Sequence, residues 1–483
     1  MVFSSTLFLF LFLPIVLTSY FLVRGTRGRN TWLLLASLLF YAWGEVGFVL
    51  LLLASTGVNY GLGLWVDREV RPAARKRVVA MAVVFNLGLL GFFKYSNFAA
   101  GALNNALGWL GFASLPEVHV ALPIGISFFT FHALSYIIDI HRGKWRAARD
   151  PRDVALYIFF FPQLVAGPIL RWSAIAPQLI HRVASRPQFA EGIRRFAGGL
   201  AKKVLVANSV AVPADQIFAL GAGQLSMAVA WFGILCYSIQ IYFDFSGYSD
   251  MAVGLGKMFG FQFPENFNFP YVAQSAREFW RRWHISLSTW FRDYLYIPLG
   301  GNRVSEGRNQ LNLLVVFFLC GLWHGASWTF VAWGLFHGAF LVLERTRLGA
   351  ALDSLPRPAR HLYAIIMVMI GWVLFRSETF TAAGQYLAAM LGRASGTQME
   401  PLGRFATRQA VSMLLLGIAF SMPLWEWLKT TGAQLSGALS GKSRQVADAV
   451  GDFAQIVLVV ATLLVCSAWL AGGTYNPFIY YRF

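Results

Sequence analysis

Long apolar blocks divided by short basic clusters dominate this chain. The first block, Phe3 to Val23, has no basic residues before it and no small-residue cleavage site ahead of the Arg24–Arg29 cluster. It reads as a first spanning helix and not as a removable signal peptide. About 20 residues at 1.5 Å rise cover a ~30 Å hydrocarbon core. Further helices are predicted at Trp32–Trp43, Val46–Val66, Val78–Phe93, Leu122–Ile140, Val154–Ile169 and Ala228–Phe245. Later ones fall at Leu311–Leu322, Trp328–Leu343, Leu362–Phe375, Ala410–Leu428 and Ile456–Leu470. The pattern predicts an all-α polytopic membrane protein of about eleven transmembrane helices. Several blocks are too short to cross alone, and Gly and Pro interrupt others. Irregular backbone at membrane depth survives only inside protein or along a wet cavity, so a cavity inside the bundle is expected.

The basic clusters set an orientation. Arg24, Arg27 and Arg29 precede a predicted helical hairpin, and Arg68, Arg71, Arg75, Lys76 and Arg77 follow it. After two more crossings come Arg142, Lys144, Arg146, Arg149 and Arg152. A hairpin between each pair places all three on one side, which the positive-inside rule makes cytoplasmic, with the N-terminus facing out.

Composition agrees. Of 483 residues, 57% are hydrophobic and 13% charged, about half the charged share of a soluble domain. No polar linker divides the chain, so residues 1–483 read as one integral membrane domain. The net charge of +18 does not mark a nucleic-acid binder, because the basic residues sit in short loops between apolar runs. Anionic membrane lipids are the better partners. Cys236, Cys320 and Cys466 lie in apolar stretches without paired spacing, so neither a disulfide framework nor a zinc site is expected.

Two segments stand out chemically. Asn266–Arg303 interleaves Arg277, Arg281, Arg282 and Arg292 with Trp280, Trp283, Trp290 and Phe291. That mixture suits a re-entrant or interfacial helix, and its Arg forks suit an anion as well as a lipid surface. The second segment, Cys320–Gly338, carries His324 between Trp323 and Gly325. An ionisable residue placed there is costly and is a functional candidate by default. Its glycine neighbours allow a substrate or another backbone to come close, and desolvation favours the neutral ring, which can accept a proton. A structural histidine bonded to a neighbouring helix is the other reading. His284 lies 40 residues earlier and His337 13 residues later. Neither completes a metal site, which needs three or four ligands.

Tyr242–Met251 looks like the end of an apolar helix, with Asp244 and Asp250 as caps or as partners of the arginines. Pro162–Arg171 looks like a re-entrant turn along the cavity, with Gln163 as its polar handle. No Gly-x-Ser-x-Gly elbow, phosphate-binding loop or dinucleotide fingerprint occurs in a suitable context, which weighs against serine hydrolysis and nucleotide hydrolysis.

Longer stretches carry a resemblance: PIGISFFTFHALSYIIDIHRG (Pro123–Gly143), FFFPQLVAGPI (Phe159–Ile169), DFSGYSDMAVGLG (Asp244–Gly256), EFWRRWHISLSTWFRDYLYIPLGGNR (Glu278–Arg303), GLWHGASWTFVAWGLFHG (Gly321–Gly338) and NPFIYYRF (Asn476–Phe483). With these the chain resembles the membrane-bound O-acyltransferases nearly end to end, and most closely the branch that acetylates alginate. The resemblance implies that His324 is the intramembrane catalytic histidine and His284 the second one. It implies helices ringed around a thinned centre, where a cytoplasmic donor meets an acceptor from outside. Acetyl-CoA or another acetyl thioester is then the expected donor substrate, with no bound cofactor. Gln163, Trp323, Arg281, Arg282 and Asp244 are the expected substrate contacts, the arginines toward donor phosphates. A periplasmic protein that accepts or relays acetyl to an exported polysaccharide is the expected partner. Acetylation of cellulose or peptidoglycan and D-alanyl transfer are the nearest alternatives. A transporter for the polymer or its lipid carrier is the alternative from another class, though no internal repeat supports it.

Overall fold

The structure, a computed structural model, describes residues 1–116, 119–393, 396, 398–438, 440–473, 475–477 and 479. Much of the NPFIYYRF stretch lies outside the described residues. All regular structure among the described residues is helical.

The hairpin expected between the first two basic clusters is present within Thr26–Arg68, where the backbone leaves helical geometry at Glu45 (φ −142°, ψ 53°). A straight helix would hold residues 30 and 60 about 45 Å apart. Asn30 instead donates to Asp153 Oδ1 (3.1 Å), while Tyr60 donates to the nearby Arg149 carbonyl (2.9 Å). The two arms therefore fold back on each other. Arg152 donates to Thr31 Oγ1 (3.2 Å), and Arg75 to the Ile140 carbonyl (2.8 Å). These contacts gather the three basic clusters on one face.

Among the described residues five helices are long and apolar enough to cross a membrane, or six if Arg408–Phe420 and Leu424–Gly432, bent by 62°, count as one. The count of about eleven is not reached on that measure. Much of the interior is built from shorter pieces: Ile126–His141, Pro151–Phe159, Phe161–Leu164 and Trp328–Leu343. The stretch predicted as Val154–Ile169 breaks at Phe160, one residue before Phe161–Leu164 with its Pro162. The break is buried, as irregular backbone in a membrane has to be.

Two corrections concern the centre. The helix predicted to stop at Phe245 runs from Met227 to Met258, so Asp244 and Asp250 lie inside it and cap nothing. Asp250 meets Arg195 (2.8 Å) and Lys202 (2.6 Å), not the arginines of the aromatic-basic block. Those partners come from Arg186–Ala201 and the segment after it, which sequence reading missed because glycine and charge dilute their apolar signal.

The packing there depends on glycine. Gly192 faces Gly254 and Gly199 faces Gly247, each pair seven residues from the next along its helix. A Cβ on Gly199 would lie 2.5 Å from the Gly247 carbonyl oxygen, and one on Gly247 2.7 Å from that of Gly199. Small residues let backbones touch where lipid offers no hydrophobic drive to association. Gly247→Val forces these helices apart and is expected to cost at least about 1–3 kcal/mol. It should lower the thermal unfolding midpoint in detergent, whereas Gly198→Val, where a Cβ would meet open space, should leave that midpoint close to wild type.

Candidate active site

His324 is the last residue of helix Glu306–His324, and Gly325 turns the chain to extended backbone (φ −164°). The imidazole is held edge-on by Trp323 and Trp333, each at 4.9 Å between centroids, and by Phe375 at 5.3 Å. Two cavities meet at this ring. One, of about 140 Å³, is lined by Lys94, residues 122–128, Val165, Trp323 and His324. The other, of about 10 Å³ and room for roughly one water, has walls from Phe245, Trp283, Trp333, Trp372, Phe375 and Ile479. The glycines beside His324 serve helix contact: a Cβ on Gly321 would strike the Phe330 carbonyl, and one on Gly325 the Phe330 ring.

His284 sits at a break. Helix Ala276–Arg282 ends, His284 adopts left-handed backbone (φ 43°, ψ 54°), and Ile285–Phe291 follows. A residue with a Cβ rarely takes that conformation, and surrounding bonds must hold it there. Asn266 supplies them. Its carbonyl accepts from Ile285 N–H (2.9 Å), and its Oδ1 accepts from Ser286 N–H (3.2 Å) and Oγ–H (2.8 Å). Its Nδ2 donates to Ser249 Oγ (3.0 Å). Ser286 Oγ in turn accepts from Ile169 N–H (3.0 Å), which ties the break to the re-entrant turn. The His284 ring is fully buried, and neither nitrogen has a hydrogen-bond partner among the described residues. Trp323 lies between the two histidines, 6.2 Å from His284 and 4.9 Å from His324.

The other expected site residues are dispersed. Trp323 lines the larger cavity and stacks on Phe131 (5.2 Å). Gln163 is buried, its amide donating to the Tyr157 carbonyl, and Val165 of the same turn reaches the cavity instead. Arg282 is engaged by Glu278 (2.9 Å) and by the Asn268 carbonyl (3.0 Å), while Arg281 is exposed. Asp244 pairs with Lys203 (2.6 Å) and accepts from Ile479 N–H (2.9 Å), so it reaches the site through a residue that walls the smaller cavity. His337 is buried against Trp280 (5.2 Å) and Trp333 (5.1 Å) within helix Trp328–Leu343. Among the described residues no group of three His, Cys, Asp or Glu side chains is placed to hold a metal ion.

Sequence reading missed Asn266, Ser249, Ser286 and Lys94. The Asn-Phe-Asn-Phe-Pro run before the aromatic-basic block was the available signal for Asn266. Lys94 was lost because it directly follows the predicted block Val78–Phe93, where it passes for a loop residue, although the helix continues to Trp109.

A bundle of membrane helices that buries a histidine where two cavities meet is built for chemistry on a substrate brought into the membrane. The profile of the membrane-bound O-acyltransferase family (MBOAT) matches residues 124–376, and the chain belongs to that family. It is an O-acyltransferase and a multi-pass membrane protein. It is 43% identical to a probable alginate O-acetylase of Azotobacter vinelandii and 41% identical to one of Pseudomonas aeruginosa, with the whole of each chain covered. It is 36% identical to a peptidoglycan O-acetyltransferase of Helicobacter pylori, over 88% of this chain and 87% of that one.

Asn266→Leu removes three side-chain hydrogen bonds in a buried place, each loss worth about 1–3 kcal/mol where a group is left unpaired. Lower thermal stability is expected, with acyl transfer reduced beyond the loss of folded protein, as measured per folded molecule by size-exclusion chromatography and acetyl assay.

Proposed function

We propose that this enzyme passes acetyl from a cytoplasmic acetyl thioester, acetyl-CoA or an equivalent carrier, to an acceptor on the far side of the inner membrane, for O-acetylation of exported alginate. The observation that carries this reading is the position of His324 at the meeting of two cavities. Full-length relatives named as alginate O-acetylases support the polymer. A periplasmic protein that accepts or relays the acetyl group is the expected partner.

His324 takes the proton of the attacking hydroxyl as its oxygen bonds to the thioester carbonyl carbon. The carbon–sulfur bond then breaks, and the departing thiolate receives the proton from the imidazolium. General-base help of this kind is worth about 10²–10⁴-fold. His284, whose ring nitrogens have no hydrogen-bond partner among the described residues, orients the acyl group or polarises its carbonyl. Exposed Arg281 is the better placed of the two arginines for donor phosphates, since Arg282 already has Glu278. Trp323 forms cavity wall against the acceptor, while Gln163 and Asp244 act on substrate only through the segments they hold.

His324→Ala is expected to lower the acetyl content of exported polymer by at least about 100-fold, with polymer yield and membrane protein level unchanged. Unchanged acetylation would remove His324 from the chemistry, and lost export would favour a transporter. Orientation has its own check. A membrane-impermeant maleimide should label Trp109→Cys in cells with an intact inner membrane, and Arg149→Cys only after that membrane is opened. The reverse pattern would invert the topology.

A further inference from the structure

Lys94 lies 8% exposed in the membrane helix Pro72–Trp109, beside the proposed catalytic ring, and the mechanism above gives it no task. A lysine at membrane depth is rare and needs a counterpart. Among the described residues no carboxylate lies within ion-pair distance of it. Its ammonium donates instead to the Trp323 carbonyl, to the His324 carbonyl (3.2 Å) and to Ser127 Oγ (3.3 Å). Tyr95, its neighbour, donates to the Leu322 carbonyl (2.6 Å). Three successive carbonyls at the end of helix Glu306–His324 are thus met by two successive residues of another helix.

A helix end leaves its last four carbonyls without intrahelical partners, and they carry partial negative charge. Water meets such groups at a protein surface, but here the end is buried. The next intrahelical bond, from Gly325 N–H to the Gly321 carbonyl, is long at 3.3 Å. The chain then runs extended through Gly325, so little else fixes the backbone that carries His324. A cation at this place satisfies the carbonyls and opposes the helix dipole together.

We infer that Lys94 is a positioning residue for His324: from a neighbouring helix it caps the helix end that carries the imidazole and thereby fixes the ring between the two cavities. The inference rests on the reading of His324 as the base, although its structural half stands without it. Because Lys94 also lines the larger cavity, direct contact with an anionic group of the acceptor is the rival role.

The test uses full-length protein and four variants: Lys94→Met, which keeps the bulk and removes the donors, Lys94→Arg, Tyr95→Phe and His324→Ala. Acetyl content of exported polymer is read in cells at matched membrane levels. Magic-angle-spinning spectra of protein labelled at histidine are read in liposomes, with the His324 ring signals identified by their loss in His324→Ala. Lys94→Met should lower acetylation at least tenfold and split or broaden the His324 signals, Lys94→Arg should restore most of both, and Tyr95→Phe should have a smaller effect. Acetylation lost with His324 signals unchanged would overturn the inference in favour of anion contact. Wild-type acetylation in Lys94→Met would overturn it outright. Should Lys94→Met not accumulate, Lys94→Leu, which also removes the donors, takes its place in liposomes, and the same spectral outcomes decide. An active His324→Ala would refute the proposed function alone, since the spectra report the cap without turnover.

Discussion

Helix Glu306–His324 stops inside the bundle, and its last carbonyls need donors that neither lipid nor its own backbone supplies. That need organises much of the centre. It accounts for an ammonium and a phenol side by side on helix Pro72–Trp109, aimed at the end of a helix more than two hundred residues later. It also accounts for the aromatic enclosure, because Trp323, Trp333 and Phe375 hold a ring whose backbone is already fixed. The larger cavity opens beside that end, lined by Trp323 and His324 on one side and by Lys94 and residues 122–128 on the other.

The same economy appears at His284. A left-handed residue between two short helices is a local cost that a loop at the surface would not need to bear. Here Asn266 answers it with main chain and side chain together, and Ser286 extends the network to the re-entrant turn at Ile169. The two histidines are therefore positioned by unlike devices, one by a charged cap from across the bundle and one by an amide network. Trp323 is their common neighbour. Glycine contacts hold Arg186–Ala201 against the central helix Met227–Met258, which carries Ser249 of the Asn266 network.

Much of this was legible from the chain. The fold class followed from apolar blocks, the hairpin from the spacing of the arginine clusters, and the buried histidine from its cost. Trp323, singled out because it adjoins His324, lines the larger cavity. What stayed hidden was everything that depends on neighbours distant in sequence. Asp244 looked like a cap because serine, glycine and aspartate follow an apolar run, yet Arg195, Lys202 and Lys203 neutralise these carboxylates and let the helix continue to Met258. Gln163 looked like a cavity handle because it is the polar residue in its turn, but its amide is spent on the Tyr157 carbonyl. The count of about eleven is not confirmed for a related reason, since a membrane protein can fill its interior with helices too short to span when other helices shield them.

The tie between Asp244 and Ile479 makes the smaller cavity a product of long-range assembly. Asn476 bonds with Ser4 and Asn208, and the Ile479 amide reaches a carboxylate in the middle of the central helix. Ile479 stands more than a hundred residues after Phe375, the nearest other lining residue in sequence. The volume beside His324 is therefore shaped by a distant segment anchored to a buried ion pair and not by any local turn, so a change at Asp244 or Lys203 can alter that volume without touching a residue that lines it.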